Sequence, residues 1–368
     1  MTVAVIAGAA ESPYTRHPDP ETTTTESLLT DAFLRALASA RIERSAVDGL
    51  GVASFTLAPD HCIDLAWRLG LRVRWLMDDA NGGASGVNML QHAVRAIEAG
   101  DAETVVLLAG DRLLREEFAA LTGGYNRATR DYLTPIPVDG PNTDFALLTQ
   151  RHMAATGLSR ADYGRIPVAQ RRWAAGNPLA VYREPLTLEE YLAAPMVAEP
   201  LCRYDCVPVV SGADALVVTS ADRAPGGIRI RAIRALHNTD GQEGDGLRTG
   251  LAELDLWEAA AAGPGDIDLA WVYDDYPVMV LVQLADLGFG DARSVLARID
   301  GGWPLNTSGG QLSAGQAGAA GGMHGLVEAV RQLRSEGQVR DARLALVTGY
   351  GMVLYRYGAC AGAVVLEA

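Results

Sequence analysis

Two distant segments of this 368-residue chain share one layout, and that repetition limits the fold more than any single motif does. Each has a glycine-rich turn, an amphipathic helix, a short polar connection containing Asp-Ala, and an apolar strand ending in glycine. The first runs Asn81-Gly82-Gly83-Ala84-Ser85-Gly86, then places Val87, Leu90, Val94 and Ile97 on one helical face, stops at Gly100, and continues as a strand over 104–110. The second runs from Ser308-Gly309-Gly310 through GQAGAAGG, places Met323, Leu326, Val327, Val330 and Leu333 on one face, reaches Gly337, and ends in a strand over 344–349. Spacings of three and four residues stack side chains along one side of a helix, and a following glycine closes it in the left-handed conformation. The strands TVVLLAG, ALVVTS and LALVTG are apolar throughout, the pattern of strands buried on both faces in a largely parallel sheet. The reading is an α/β chain of two duplicated βαβ-type halves, 1–224 and 225–368, divided at the Ala221–Gly227 turn. Residues 112–200 of the first half, richer in Arg, Pro, Tyr and Asn, form an inserted cap.

Composition removes several chemistries. All 31 basic residues are arginine, so the chain has no lysine for a Schiff base, covalent pyridoxal phosphate or a P-loop. A net charge of −14 opposes nucleic-acid binding, which depends on neutralising phosphates. Cys202 and Cys206 lack the second ligand pair of a zinc site, and the six histidines are scattered, so no metal is expected. The four cysteines suit reduced thiols rather than a disulfide framework. With no basic start and no apolar stretch of membrane-spanning length, the chain reads as cytoplasmic, without membrane contact.

A duplicated α/β chain with a long insertion and these glycine runs resembles the thiolase superfamily over nearly its whole length. It is most similar to the sterol-carrier or lipid-transfer thiolase-like proteins, through RHMAATGLSR at Arg151, NPLAVYREPLTLEEYL at Asn177, YDDYPVMVLVQLADLGFG at Tyr273 and NTSGGQLSAGQAGAAGG at Asn306. The resemblance implies a layered α/β/α/β/α fold with the cap inserted, coenzyme A thioesters as substrates with no further cofactor, a homodimer, and a small OB-fold partner subunit. In that superfamily a nucleophilic cysteine opens the first repeated helix, where amides and the helix dipole stabilise its thiolate. Here Gly83 stands in its place. The family's Gly-His-Pro falls on Gly315-Gln316-Ala317, and its second cysteine falls on Val347.

Without these groups, ordinary thiolase chemistry is not expected. Relatives lacking the cysteine include steroid side-chain aldolases, and the resemblance implies retro-aldol cleavage of a β-hydroxyacyl-CoA with Tyr273 as general acid/base. The second tyrosine of those relatives is matched by Gln316, which donates hydrogen bonds but does not exchange protons usefully. His324, at a helix start that favours its neutral form, and Tyr350 are further catalytic candidates. Gly83 and Gly349 are expected to offer amides to the thioester oxygen, with Ser85, Gln316 and Tyr276 beside the substrate. Buried tyrosines and paired glycines serve packing equally well. The cap arginines Arg127, Arg130, Arg151, Arg171 and Arg172 are candidates for the phosphates of a CoA-like ligand. Two other readings stay open: an acyltransferase with a relocated nucleophile, and a non-catalytic subunit that binds acyl-CoA.

Overall fold

The computed structural model describes residues 2–123, 127, 129–136, 138, 140–238, 248–353 and 358–368. The first half alternates β1 (Ala4–Glu11), α1 (Thr25–Ala40), β2 (Gly49–Ala53), α2 (His61–Arg68), β3 (Trp75–Asp79), α3 (Ser85–Ala99) and β4 (Thr104–Asp111). The chain then leaves the sheet for α4 (Arg115–Gly123), α5 (Pro141–Thr156), α6 (Arg160–Ala175), α7 (Leu188–Leu192) and a small ribbon of β5 (Met196–Ala198) and β6 (Leu201–Cys202). It returns as β7 (Gly212–Ser220). The remainder is β8 (Ile228–His237), α8 (Leu256–Ala260), β9 (Leu269–Trp271), α9 (Pro277–Asp286), α10 (Ala292–Asp300), α11 (Gly310–Ala314), α12 (Gly321–Leu333), β10 (Leu344–Val353) and β11 (Gly358–Glu367).

The strands join in the order β3-β2-β4-β7-β1-β8-β11-β10-β9. Parallel pairing is confined to the outer strands, β3–β2–β4 and β10–β9, while the middle of the sheet is antiparallel. A largely parallel sheet, expected from the apolar strands, is therefore found only toward the ends. The middle strands are apolar throughout because helices cover them, not because their neighbours run parallel. α1 lays Leu28, Leu29, Ala32, Phe33, Ala36 and Leu37 on β1, β4 and β7. α8 covers β8 and β11, and α3 and α12 pack against each other on the sheet's inner side. That arrangement gives the helix and sheet layers.

α12 is buried along almost its whole length, its polar His324, Glu328 and Gln332 included, each of them hydrogen-bonded within the protein. Truncating one of its leucines, such as Leu326 at 0% exposure, should cost about 2–5 kcal/mol. The two repeated helix starts meet at glycines. A Cβ on Gly86 would lie 2.0 Å from the Gly322 carbonyl oxygen, and one on Gly322 would lie 2.6 Å from that of Gly83. This crossing brings the start of one half's helix against the start of the other's, and the site forms there.

Candidate active site

Two buried carboxylates shape the glycine-rich segment ahead of α12. Asp274 accepts the backbone amides of Gln311 (2.9 Å) and Leu312 (3.3 Å). Asp111 accepts the amide of Ala319 (2.8 Å) and also holds Ser54, Phe55 and Thr56. Burial pushes the Asp274 carboxyl up to about 7 despite those donors. The second residue of the YDDY motif is thus a brace for the loop that carries Gln316.

The cleft above this brace has a volume of about 530 Å³. Gly83, Tyr273, Tyr276, Gln316 and Tyr350 all line it, with Phe55, Phe118, Phe145, Val207 and Pro208 forming apolar wall. Gln316 Nε2 donates to the Tyr273 hydroxyl at 2.8 Å, and the Tyr273 and Tyr350 rings lie 6.3 Å apart, tilted by 50°. The Tyr276 hydroxyl donates to Asn142 Oδ1 at 2.7 Å, and its ring stacks on Phe145 at 4.2 Å, so two residues of α5 in the inserted segment clasp the motif.

The Tyr273 ring fills the space beside Gly83. A Cβ on Gly83 would lie 2.3 Å from Tyr273 Cζ and 2.2 Å from the backbone oxygen of Tyr350. A phenol therefore occupies the neighbourhood that a side chain at position 83 would need.

Other candidates lie elsewhere. Gly349 is paired with Gly362 inside the sheet and does not line the cleft; Gly351, two residues on, does. Val347 is fully buried opposite Trp271 and Val364, away from the cleft. Ser85 is buried at the start of α3, with no hydrogen-bond partner for its Oγ among the described residues, and is not in the lining.

His324 also lies apart from the cleft. Its Nε2 is 3.0 Å from Ser308 Oγ, and its Nδ1 faces the Tyr14 hydroxyl (3.3 Å), Glu11 (3.5 Å) and Asp214 (3.7 Å). Burial opposes its protonation, but Asp214 and Glu11 outweigh burial and lift its pKa to about 9. The neutral helix-start histidine expected from sequence is a charged one. Glu11, Asp214 and His324 place ligand atoms within 4.8 Å of one another, but Arg331 already bonds Glu11 and Tyr14 donates to Asp214 at 2.8 Å. The chemistry of this group is that of a buried ion-pair cluster.

Asp275, which drew no separate notice in the sequence, and Cys206 also line the cleft. Asp275 keeps partial exposure to the cleft, and burial, followed by the neighbouring Asp274 charge, raises its carboxyl well above the ordinary range. Its only sequence signal was membership of the YDDY motif. Cys206 lines the cleft, but burial pushes its thiol up to about 12, as burial does for Cys62, while Cys202 and Cys360 reach about 11. Of the cap arginines, Arg127 and Arg130 pair with Asp131, and Arg172 is exposed on α6.

Fold and site together define a thiolase-like enzyme whose nucleophile position is a glycine beneath a tyrosine. Residues 255–362 match the family described as thiolase C-terminal domain-like. The chain is 32% identical over 340 residues to a 17-hydroxy-3-oxo-4-pregnene-20-carboxyl-CoA lyase of Mycobacterium tuberculosis, covering 83% of this chain and 86% of the lyase. It is 33% identical over 352 residues to a steroid side-chain-cleaving aldolase of Thermomonospora curvata, covering 87% and 89%. The solved structure of an Ltp2-ChsH2(DUF35) aldolase superposes with a TM-score of 0.86 at 29% identity, covering 100% of this chain and 98% of that one. The chain belongs to the thiolase superfamily, among its sterol-carrier-type thiolase-like enzymes. Among the described residues no helix is long and apolar enough to cross a membrane.

Proposed function

We propose that this enzyme cleaves a carbon-carbon bond of a β-hydroxyacyl-CoA thioester by a retro-aldol reaction, without an acyl-cysteine intermediate. The observation that carries the reading is the Tyr273 phenol in the space beside Gly83, with Gln316 donating to its oxygen. Gln316 holds that oxygen in place and stabilises negative charge on it, so the oxygen is positioned to exchange a proton with substrate. Tyr273 takes the β-hydroxyl proton, the oxygen's electrons form the carbonyl of a ketone or aldehyde, and the Cα–Cβ bond breaks. The electron pair passes to the thioester as an enolate, which the amides of Gly83 and Gly351 stabilise. Asp275, which holds its proton above the ordinary carboxylate range, returns one to Cα. Tyr350 packs against Tyr273 and fixes its orientation. The relatives named as a CoA lyase and an aldolase support this chemistry.

The high thiol pKa of Cys206 weighs against an acyltransferase with a relocated nucleophile, because little thiolate forms near neutrality. For assembly, the reading is a homodimer with a separately encoded small OB-fold subunit. The paired name of the solved aldolase supports a second subunit. The sheet edge supports self-pairing: among the described residues β3 is bonded only to β2, Leu76 on it is exposed, and α2, which packs against β3, exposes Ile63 and Trp67, the tryptophan at 76% exposure.

The test is turnover of a panel of β-hydroxyacyl-CoA thioesters by wild type and Tyr273→Phe, with intact-protein mass measured in the same samples. Ketone or aldehyde release without a protein adduct, reduced about 10²- to 10⁴-fold in the variant at similar ligand affinity, is expected. An acyl adduct on a cysteine would overturn the reading.

A further inference from the structure

We propose that Thr348, Gln283 and Asn306 are positioning residues for the reaction: from outside the cleft they hold the backbone of Val272 and Tyr273, so that the phenol stays bonded to Gln316 and beside Gly83. The proposal rests on the reading of Tyr273 as the base.

The ladder between β9 and β10 ends at the pair Trp271–Val347. On the other side of β9, Ala270 N donates to the Pro304 carbonyl (2.9 Å), and the Ala270 carbonyl accepts from Asn306 N (2.8 Å). Beyond Trp271, side chains take over from both neighbours. The Asn306 amide accepts from Val272 N (2.7 Å) and donates to the Val272 carbonyl (2.9 Å). Thr348 Oγ1 accepts from Tyr273 N (3.0 Å), and Gln283 Nε2 donates to the Tyr273 carbonyl (2.7 Å). The Thr348 hydroxyl donates in turn to Gln283 Oε1 (2.7 Å), which closes a ring of hydrogen bonds around Tyr273. All three side chains are at 0% exposure, and none of them lines the cleft.

Backbone groups in and beside a strand are ordinarily paired by neighbouring backbone, and a buried N–H or C=O left without a partner is costly. Here the N–H and C=O of two successive residues are met by three side chains from three elements: the segment before α11, β10 and α9. The course of the chain at Tyr273 is therefore set by those side chains and not by the sheet. Asn306 meets its part at φ 49, a left-handed conformation that a residue other than glycine adopts at a cost. Its amide also bonds Asp274, the brace of the glycine-rich segment. That segment runs on to Gln316, which donates to the Tyr273 hydroxyl. Tyr273 is thus fixed at both ends, its backbone by the cradle and its oxygen by Gln316. A general base works only within hydrogen-bond reach of the proton that it takes, and a misplacement of about 1 Å costs about 100-fold in rate.

Thr348→Val keeps the shape of the side chain and removes the hydroxyl, so it tests the cradle with little change in packing. Turnover of β-hydroxyacyl-CoA thioesters and a crystal structure are obtained for the full-length wild type, Thr348→Val and Thr348→Ser, with Leu29→Ala in the core of α1 as a control for lost stability alone. Thr348→Val should lower kcat about 100-fold with KM within about twofold of wild type, and should part the Tyr273 hydroxyl from Gln316 Nε2. Thr348→Ser returns the hydroxyl and should recover kcat to within about fivefold of wild type, while Leu29→Ala should stay within about twofold. Urea unfolding of each variant checks that the fold is intact. Where Thr348→Val does not fold, Gln283→Met, which removes the donor to the Tyr273 carbonyl, takes its place with the same expectations. A kcat within about twofold of wild type, a loss that Leu29→Ala reproduces, or a phenol still bonded to Gln316 overturns the cradle. A phenol displaced in Thr348→Val, in a protein whose wild type cleaves no thioester, leaves the cradle standing and removes the retro-aldol reading.

Discussion

Gly83→Ala measures how firmly the tyrosine holds the place beside that glycine. Gly83 is not in the positive-φ region, so alanine gains about 0.5–1 kcal/mol by restricting the unfolded chain. Against this, the new Cβ falls 2.2 Å from a backbone oxygen and 2.3 Å from Tyr273 Cζ. The oxygen belongs to a strand in the sheet and has no rotamer with which to retreat. Overpacking of this kind costs about 1–3 kcal/mol, more when backbone must shift, so the upper figure applies and the net loss should be about 2 kcal/mol. Urea unfolding at unchanged m-value reads it. Adding Tyr273→Ala to Gly83→Ala removes the ring contact but not the oxygen contact. The two substitutions should therefore couple by about 1 kcal/mol, the double variant being more stable than the sum of the singles implies. A Gly83→Ala protein within about 0.5 kcal/mol of wild type, with no coupling to Tyr273→Ala, would show that the site has spare room and refute the reasoning.

Further predictions concern charge and assembly. His324 has a raised folded pKa, so its contribution is fully present below pH 6.5 and is lost as pH rises through about 9; the stability gap between wild type and His324→Gln should shrink across that range in urea unfolding. Arg331→Met leaves Glu11 and Glu328 buried without their cation and should cost about 3–5 kcal/mol, far more than an exposed arginine, by the same assay. Cys206→Ser should keep carbon-carbon cleavage within a few-fold, measured as product release; abolition would reinstate a cysteine mechanism. Trp67→Glu should shift the protein toward monomer in light scattering after size exclusion, and an unchanged mass would move the dimer contact elsewhere.

The repeated helices were legible because apolar spacing and terminal glycines are local signals; the glycine pairs signal close packing, but not that the two helix starts cross there, which distant parts of the chain decide. The absence of the nucleophile at Gly83 was legible as a local signal too. Strand direction was not: β7 and β4 are equally apolar whichever way they run, and pairing is decided by distant chain connections. Position along β10 was half legible. Val347, Gly349 and Gly351 share one face by the two-residue period, so the facing set is readable from sequence, but how far the strand runs before it meets Gly83 is settled by packing. His324 misled because its neighbours in sequence are apolar, whereas Glu11 and Asp214 come from strands far away in the chain. The stacking of Arg16, Arg171 and Arg203 on the rings of Tyr182 and Tyr204 was half legible: Arg171 is among the cap candidates, but the other four side chains meet it only in three dimensions.

The clasp between Tyr276 and α5 bears on how this enzyme chooses among substrates. The stacked Phe145 and the bonded Asn142 sit on the wall of the cleft, and Tyr276 follows Tyr273 by three residues. On the proposed retro-aldol reading, Tyr276 joins this wall to the base. An acyl group that fits only by pushing α5 outward should then carry the phenol off its line of attack, and a misfit should lower kcat and not only raise KM. Discrimination of that kind persists when substrate is saturating, where a pocket that sorted ligands by affinity alone would have lost it.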